Sequence, residues 1–132
     1  LRKNQITSIA SLGELISLTE LGLSKNQITS IEELGGLLNL RKIDLSGNKI
    51  TSDDLILVVE RLKEMPNLIE LKLSQNKITS IASLSLLVNL TKLYLDNNQI
   101  TDIQTISGLP NLTTLGLNHN KIISWIPFFY TI

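Results

Sequence analysis

An asparagine recurs along this 132-residue chain at Asn4, Asn26, Asn48, Asn76, Asn98 and Asn120, with spacings of 22, 22, 28, 22 and 22. A common frame surrounds these positions. Leu18-Thr-Glu-Leu21-Gly-Leu23-Ser-Lys-Asn26-Gln-Ile28 reads L-x-x-L-x-L-x-x-N-x-I, and it returns at Leu40–Ile50, with Ile43 in the second slot, and at Leu68–Ile78, Leu90–Ile100 and Leu112–Ile122. Self-similarity at such a period demands a stack of equivalent units, because no single unit can bury its apolar side alone. The composition agrees: 27 Leu and 18 Ile make up 45 of the 56 hydrophobic residues, a skew foreign to a mixed globular core.

Inside the frame, Leu21 and Leu23 alternate with outward residues, the period of a strand. Equivalent strands stacked in parallel, about 4.8 Å apart, join these leucines into one continuous column. The asparagine sits where the chain leaves the strand, and there it is expected to satisfy backbone groups that lose their ladder partners. Asn4, Asn26, Asn48, Asn76, Asn98 and Asn120 are therefore expected to form a structural ladder.

The 28-residue unit inserts Ser52-Asp53-Asp54 and then Leu55 to Met65. Leu55, Val58, Val59, Leu62 and Met65 recur at helical spacing. Ser52 to Asp54 supply capping oxygens and negative charge at the start, and Pro66 stops the element. This predicts an α-helix over about 53–65, with Glu60, Arg61, Lys63 and Glu64 as its solvated face. The shorter units have room only for turns or 3-10 pieces.

The frame resembles that of leucine-rich repeat proteins, and the resemblance covers essentially the whole chain. The N-x-I-T-x-I continuation, as in Asn98-Gln-Ile100-Thr-Asp-Ile103, is similar to internalin-type repeats of bacteria and to the phosphatase-regulatory class. The resemblance implies an α/β solenoid: a curved right-handed coil with a parallel sheet on its concave face, and 3-10 segments plus one helix on its convex face. The expected organisation is a single domain, 1–132, with a partial repeat 1–17 and repeats 18–39, 40–67, 68–89, 90–111 and 112–132. The first repeat starts partway through its strand and lacks a starting Met, which is read as a piece of a longer chain. Trp125 and Phe128 fall on inward slots of the last repeat and are expected to cap the stack, where Pro127 discourages further strand pairing.

Chemistry is poorly provided for. There is no Cys, and His119 is the only His, so conventional thiolate and imidazole metal sites have no ligand set. No phosphate-cradling glycine string occurs, and the serines recur at frame positions such as Ser24, Ser46 and Ser74. Asn89 and Asn111 stand in N-L-T sequons that the frame itself generates. Neither an enzyme nor a cofactor is expected. Twelve basic against twelve acidic residues argue against a nucleic-acid surface, and the longest apolar run, Leu55 to Val59, is far too short to span a membrane. The missing cysteines and signal peptide suggest a cytoplasmic setting or a secreted bacterial effector.

What remains is the outward side of the strands. Three columns are expected on the concave face: Glu20, Lys42, Glu70, Lys92, Thr114; then Gly22, Asp44, Lys72, Tyr94, Gly116; then Ser24, Ser46, Ser74, Asp96, Asn118. The first alternates in sign, and Asp44 with Lys72 repeats this in the second, so the charges are expected to pair across strands. Tyr94 is the single aromatic there. The candidate partner-binding set is Tyr94, Lys72, Lys92, Glu70, Asp44, Lys42, Glu20 and Asp96, and the expected partner is a protein. A regulatory subunit or targeting arm docking an enzyme such as a phosphatase, and a structural scaffold, stay open as alternatives.

Overall fold

The structure, a computed structural model, describes residues 1–123. Five three-residue strands form one parallel sheet: β1 Glu20–Gly22, β2 Lys42–Asp44, β3 Glu70–Lys72, β4 Lys92–Tyr94 and β5 Thr114–Gly116. They lie in chain order, each paired with its sequence neighbours. The register runs Glu20↔Lys42↔Glu70↔Lys92↔Thr114, and two residues on Gly22↔Asp44↔Lys72↔Tyr94↔Gly116. Pairing continues past the strands, since Lys25, Gly47, Gln75 and Asn97 donate their N–H to the carbonyls of Ser46, Ser74, Asp96 and Asn118 at 2.8–2.9 Å. The third outward column is thus held in register as well.

In β1 to β4 the central residue points inward, whereas Leu115 of β5 is exposed. Leu21, Ile43, Leu71 and Leu93 are buried, and Leu23, Leu45, Leu73 and Leu95 beside them are fully enclosed. Opposite the sheet lie 3-10 turns at Ala10–Glu14, Glu32–Leu34, Ala82–Leu86 and Gln104–Gly108, together with helix α1, Ser52–Leu62. Each repeat is thus a strand, a tight turn and a return leg wrapped around one Leu/Ile column. The arrangement is the leucine-rich solenoid expected from the sequence.

The turn after each strand has a common geometry. Lys3, Lys25, Gln75, Asn97 and His119 all adopt φ of 57–58°, and Gly47 takes 67° at the equivalent place. This left-handed conformation costs a non-glycine residue about 1–2 kcal/mol. The next residue, the asparagine of the frame, helps to hold it. The side-chain amides of Asn26, Asn48, Asn76, Asn98 and Asn120 donate to the carbonyl three residues back and to a leucine carbonyl of the preceding repeat, at 2.9–3.2 Å. Their Oδ1 atoms accept from the amides of Ile6, Ile28, Ile50, Ile78 and Ile100 in the preceding repeat, at 2.9–3.2 Å. Asn4, in the partial first repeat, is exposed; its side-chain amide donates only to the nearby carbonyls of Leu1 and Arg2, while its backbone amide donates to the Asn26 Oδ1 at 3.1 Å.

A second row of asparagines escaped the sequence reading. Asn39, Asn67 and Asn111 donate to the carbonyls of Ile16, Leu38 and Val88, each in the preceding repeat, at 3.0, 3.3 and 2.9 Å. Asn111, a sequon by sequence, is in the structure a rung between repeats.

Helix α1 departs from expectation at both ends. Its N-cap is Thr51, whose hydroxyl accepts from the Asp54 amide while the Asp54 carboxylate accepts from the Thr51 amide, a reciprocal capping box. Ser52 does not cap the helix. Its Oγ accepts from the amides of Thr79 and Ser80, both at 2.9 Å, and ties the helix start to the next repeat. The helix ends at Leu62, not Met65, because Met65 precedes Pro66 and is barred from the α region. The amides of Glu64 and Met65 instead bond three residues back, to Arg61 and Leu62.

Nor is the outer face of α1 uniformly solvated. Arg61 pairs with Glu64 at 2.8 Å, yet lies so close over Gly35 that a Cβ there would come within 2.9 Å of its Nη1. Its buried Nε has no hydrogen-bond partner among the described residues.

Candidate protein-docking face

The sheet register sets the outward side chains in columns, and their charges decide how they settle. Lys42 reaches back to Glu20 at 3.2 Å. Glu70 is drawn down between two cations, Lys72 at 3.6 Å and Lys92 at 4.0 Å, until only 11% of its side chain is exposed. The two lysines stay 40% and 48% exposed. Each such contact contributes about 0–1 kcal/mol where water reaches it. Their main effect is to fix side chains in place.

The expected pairing of Asp44 with Lys72 does not form, although the two are in register. Asp44 faces Arg2 of the partial first repeat at 3.8 Å, and its Oδ1 accepts from the Ser46 amide at 3.0 Å. Arg2 reaches it by lying across Gly22, where a Cβ would stand 3.0 Å from the guanidinium Nε. A cross-strand charge rule sees only the register; the absent side chain of Gly22 opens a longer path.

Asp96 uses Gly116 in the same way. Its carboxylate lies against the position a Cβ would take, accepts from the Asn118 amide at 2.9 Å and meets the Ser74 hydroxyl at 3.4 Å. One side chain thereby spans three repeats. Ser24, expected in the third outward column, is buried, and its carbonyl accepts from the Lys3 amide.

Tyr94, the only aromatic among the described residues, stands half-buried on β4. The Lys72 ammonium lies 5.5 Å from its ring centroid, within cation–π range. Toward the start of the chain, Arg2, Glu20, Lys42, Asp44, Glu70 and Lys72 line an open depression of about 480 Å³. The candidate residues thus fall into two groups. Glu20, Lys42, Asp44, Glu70 and Lys72 border the depression, while Lys92, Tyr94 and Asp96 lie on its C-terminal side, with Lys72 joining the two. Trp125 and Phe128 lie outside the described residues. Among the described residues no three His, Asp or Glu side chains cluster as metal ligands, and no helix is long and apolar enough to cross a membrane.

Comparison with known proteins fits this geometry. A model described as leucine-rich repeats (2 copies) matches residues 16–57, 66–107 and 88–128. No curated protein matches. Among solved structures, an internalin (inlF) from Listeria monocytogenes superposes with a TM-score of 0.79 at 33% identity, over 95% of this chain and 36% of its own. Internalin C2 of the same species gives 0.72 at 32%, over 97% of this chain and 64% of its own. A leucine-rich repeat protein of Leptospira interrogans gives 0.76 at 36%, over 97% of this chain and 32% of its own. The chain thus spans less than two thirds of each of these structures. The Leu/Ile column, the asparagine-stitched parallel sheet and these matches place the chain in the leucine-rich repeat family.

Proposed function

We propose that the concave sheet docks a protein partner, with Tyr94 as its anchor and Lys72 and Lys92 as flanking contacts. The leucine-rich repeat fold is a general protein–protein interaction module. The observation that carries the reading here is Tyr94 itself. A half-buried tyrosine held by Lys72 on a rigid parallel sheet buries area on binding with little rotamer entropy to lose. Asp96, fixed across three repeats, and Glu20, Lys42, Asp44 and Glu70 form the polar surround. These ion pairs are weak enough for a partner's charges to replace them. Nothing among the described residues favours the regulatory-arm or scaffold readings over this one.

The test is Tyr94→Ala. Tyrosine removal leaves every inward contact in place, so the melting temperature is expected to hold. Affinity for a partner captured by the wild-type chain is expected to fall at least tenfold, about 1.4 kcal/mol, in a quantitative titration. Unchanged affinity with an intact fold would remove Tyr94 from the interface.

A further inference from the structure

The turns that follow the strands form an edge of the solenoid, and its charge is one-sided. Residues 3–5, 25–27, 47–49, 75–77, 97–99 and 119–121 contain Lys3, Lys25, Lys49, Lys77, Lys121 and His119, with Gln, Asn and one Gly, and no carboxylate. The five lysines and His119 are all exposed. Among the described residues none of these lysines lies within ion-pair distance of an acidic side chain. All six ion pairs use other cations: Arg2, Lys42, Arg61, Lys63, Lys72 and Lys92. In a chain of zero formal net charge this is segregation along one edge.

The backbone adds an independent observation. The first slot of each turn is left-handed, where glycine or asparagine is the unstrained choice, yet it holds Lys at 3 and 25, Gln at 75 and His at 119. All six repeats share this turn, so it sets these exposed side chains at the same place in each repeat.

We propose that this edge is a second docking surface, separate from the concave sheet, that receives an acidic, extended segment of a partner protein. Stacked repeats set successive turns about 4.8 Å apart, each with one lysine except the fifth, and the exposed amides of Gln5, Gln27, Gln75, Asn97 and Gln99 offer donors to the segment's carboxylates and backbone carbonyls. A nucleic acid fits less well. The twelve carboxylates on the rest of the chain cancel its long-range field, and no aromatic stands on the edge for bases to stack upon. A short acidic segment needs only the local field.

The test uses a fluorescently labelled peptide of about ten residues, rich in Glu, titrated by anisotropy at low ionic strength and at about 0.15 M salt. Binding that weakens with salt is expected. Lys49→Glu with Lys77→Glu should weaken it at least tenfold. Arg41→Glu with Lys63→Glu, the same charge change placed elsewhere, should weaken it less than threefold, and Tyr94→Ala should leave it unchanged. Circular dichroism melts confirm that each variant is folded, and Lys49→Arg with Lys77→Arg should retain binding. Three results would overturn the proposal: no salt-dependent binding of the peptide, equal losses from the two charge-reversal pairs, or tighter binding of an oligodeoxythymidine of matched charge.

Discussion

Asn76 shows how one residue type serves two repeats at once. Its Oδ1 accepts from the Ile50 amide at 3.0 Å, and its Nδ2 donates to Leu73 within its own repeat and to Leu45 in the one before. Alanine there would strand the buried Ile50 amide, costing about 1–3 kcal/mol when left unpaired, and would take one of two donors from each of the Leu45 and Leu73 carbonyls, which keep Asn48 and Asn98. Some relaxation and water entry will recover part of that loss. Asn76→Ala is therefore expected to lower unfolding free energy by at least about 2 kcal/mol in urea titration. Asn89, exposed and without a side-chain hydrogen bond among the described residues, is the control, and Asn89→Ala is expected to stay within about 0.5 kcal/mol. Equal losses would contradict a specific role for the ladder position. The spacing of Asn76 and its equivalents stood out in the sequence because everything else in the frame repeats with them. Asn39, Asn67 and Asn111 were harder to see, since an N-L pair beside an inward leucine resembles ordinary loop composition. Their place just before the first framing leucine was the available signal, but Asn89 shares it and makes no such bond among the described residues.

At the scale of elements, packing between return legs sets the constraint. Gly13 and Gly108 both lie in 3-10 turns and look alike in sequence. A Cβ on Gly13 would overlap the backbone carbonyl oxygen of Glu33 in the next turn, whereas nothing lies within 4 Å of one on Gly108. Gly13→Ala must push two backbones apart and is expected to cost about 1–3 kcal/mol. Gly108→Ala is expected to be neutral or to stabilise by about 0.4–1 kcal/mol through the unfolded chain. Thermal melts of the pair distinguish them, and the same sign for both would refute the contact argument. The existence of α1 was legible because Leu55, Val58, Val59 and Leu62 share one face at helical spacing. Its limits were not. Four adjacent polar residues, Thr51 to Asp54, compete to cap, and only the fold shows Thr51 taking the cap while Ser52 is drawn away to Thr79 and Ser80. At the other end, the restriction that Pro66 places on Met65 ended the helix earlier than the apolar spacing implied.

For the molecule as a whole, cohesion runs between repeats. Leucine columns, strand pairing and two asparagine rows all cross from one unit to the next, so each unit is stabilised by its neighbours. The columns of the concave face followed from the frame alone, because register is fixed by a constant repeat. Which charges meet on that face did not. Arg2 reaches Asp44 only because Gly22 is bare, and Asp96 crosses Gly116 for the same reason. A neutral net charge likewise concealed an edge without a carboxylate, since a sum carries no positions. Native-state amide exchange measures between-repeat cohesion most directly. Protection is expected to be highest in β2 to β4 and at the Ile50 and Ile78 amides, which donate to Asn76 and Asn98 of the following repeats. It should decline toward Ile6 and the first repeat. Asn76→Ala should speed exchange at Ile50 and in both flanking repeats together. Protection that peaks in α1, or a response to Asn76→Ala confined to its own repeat, would contradict it.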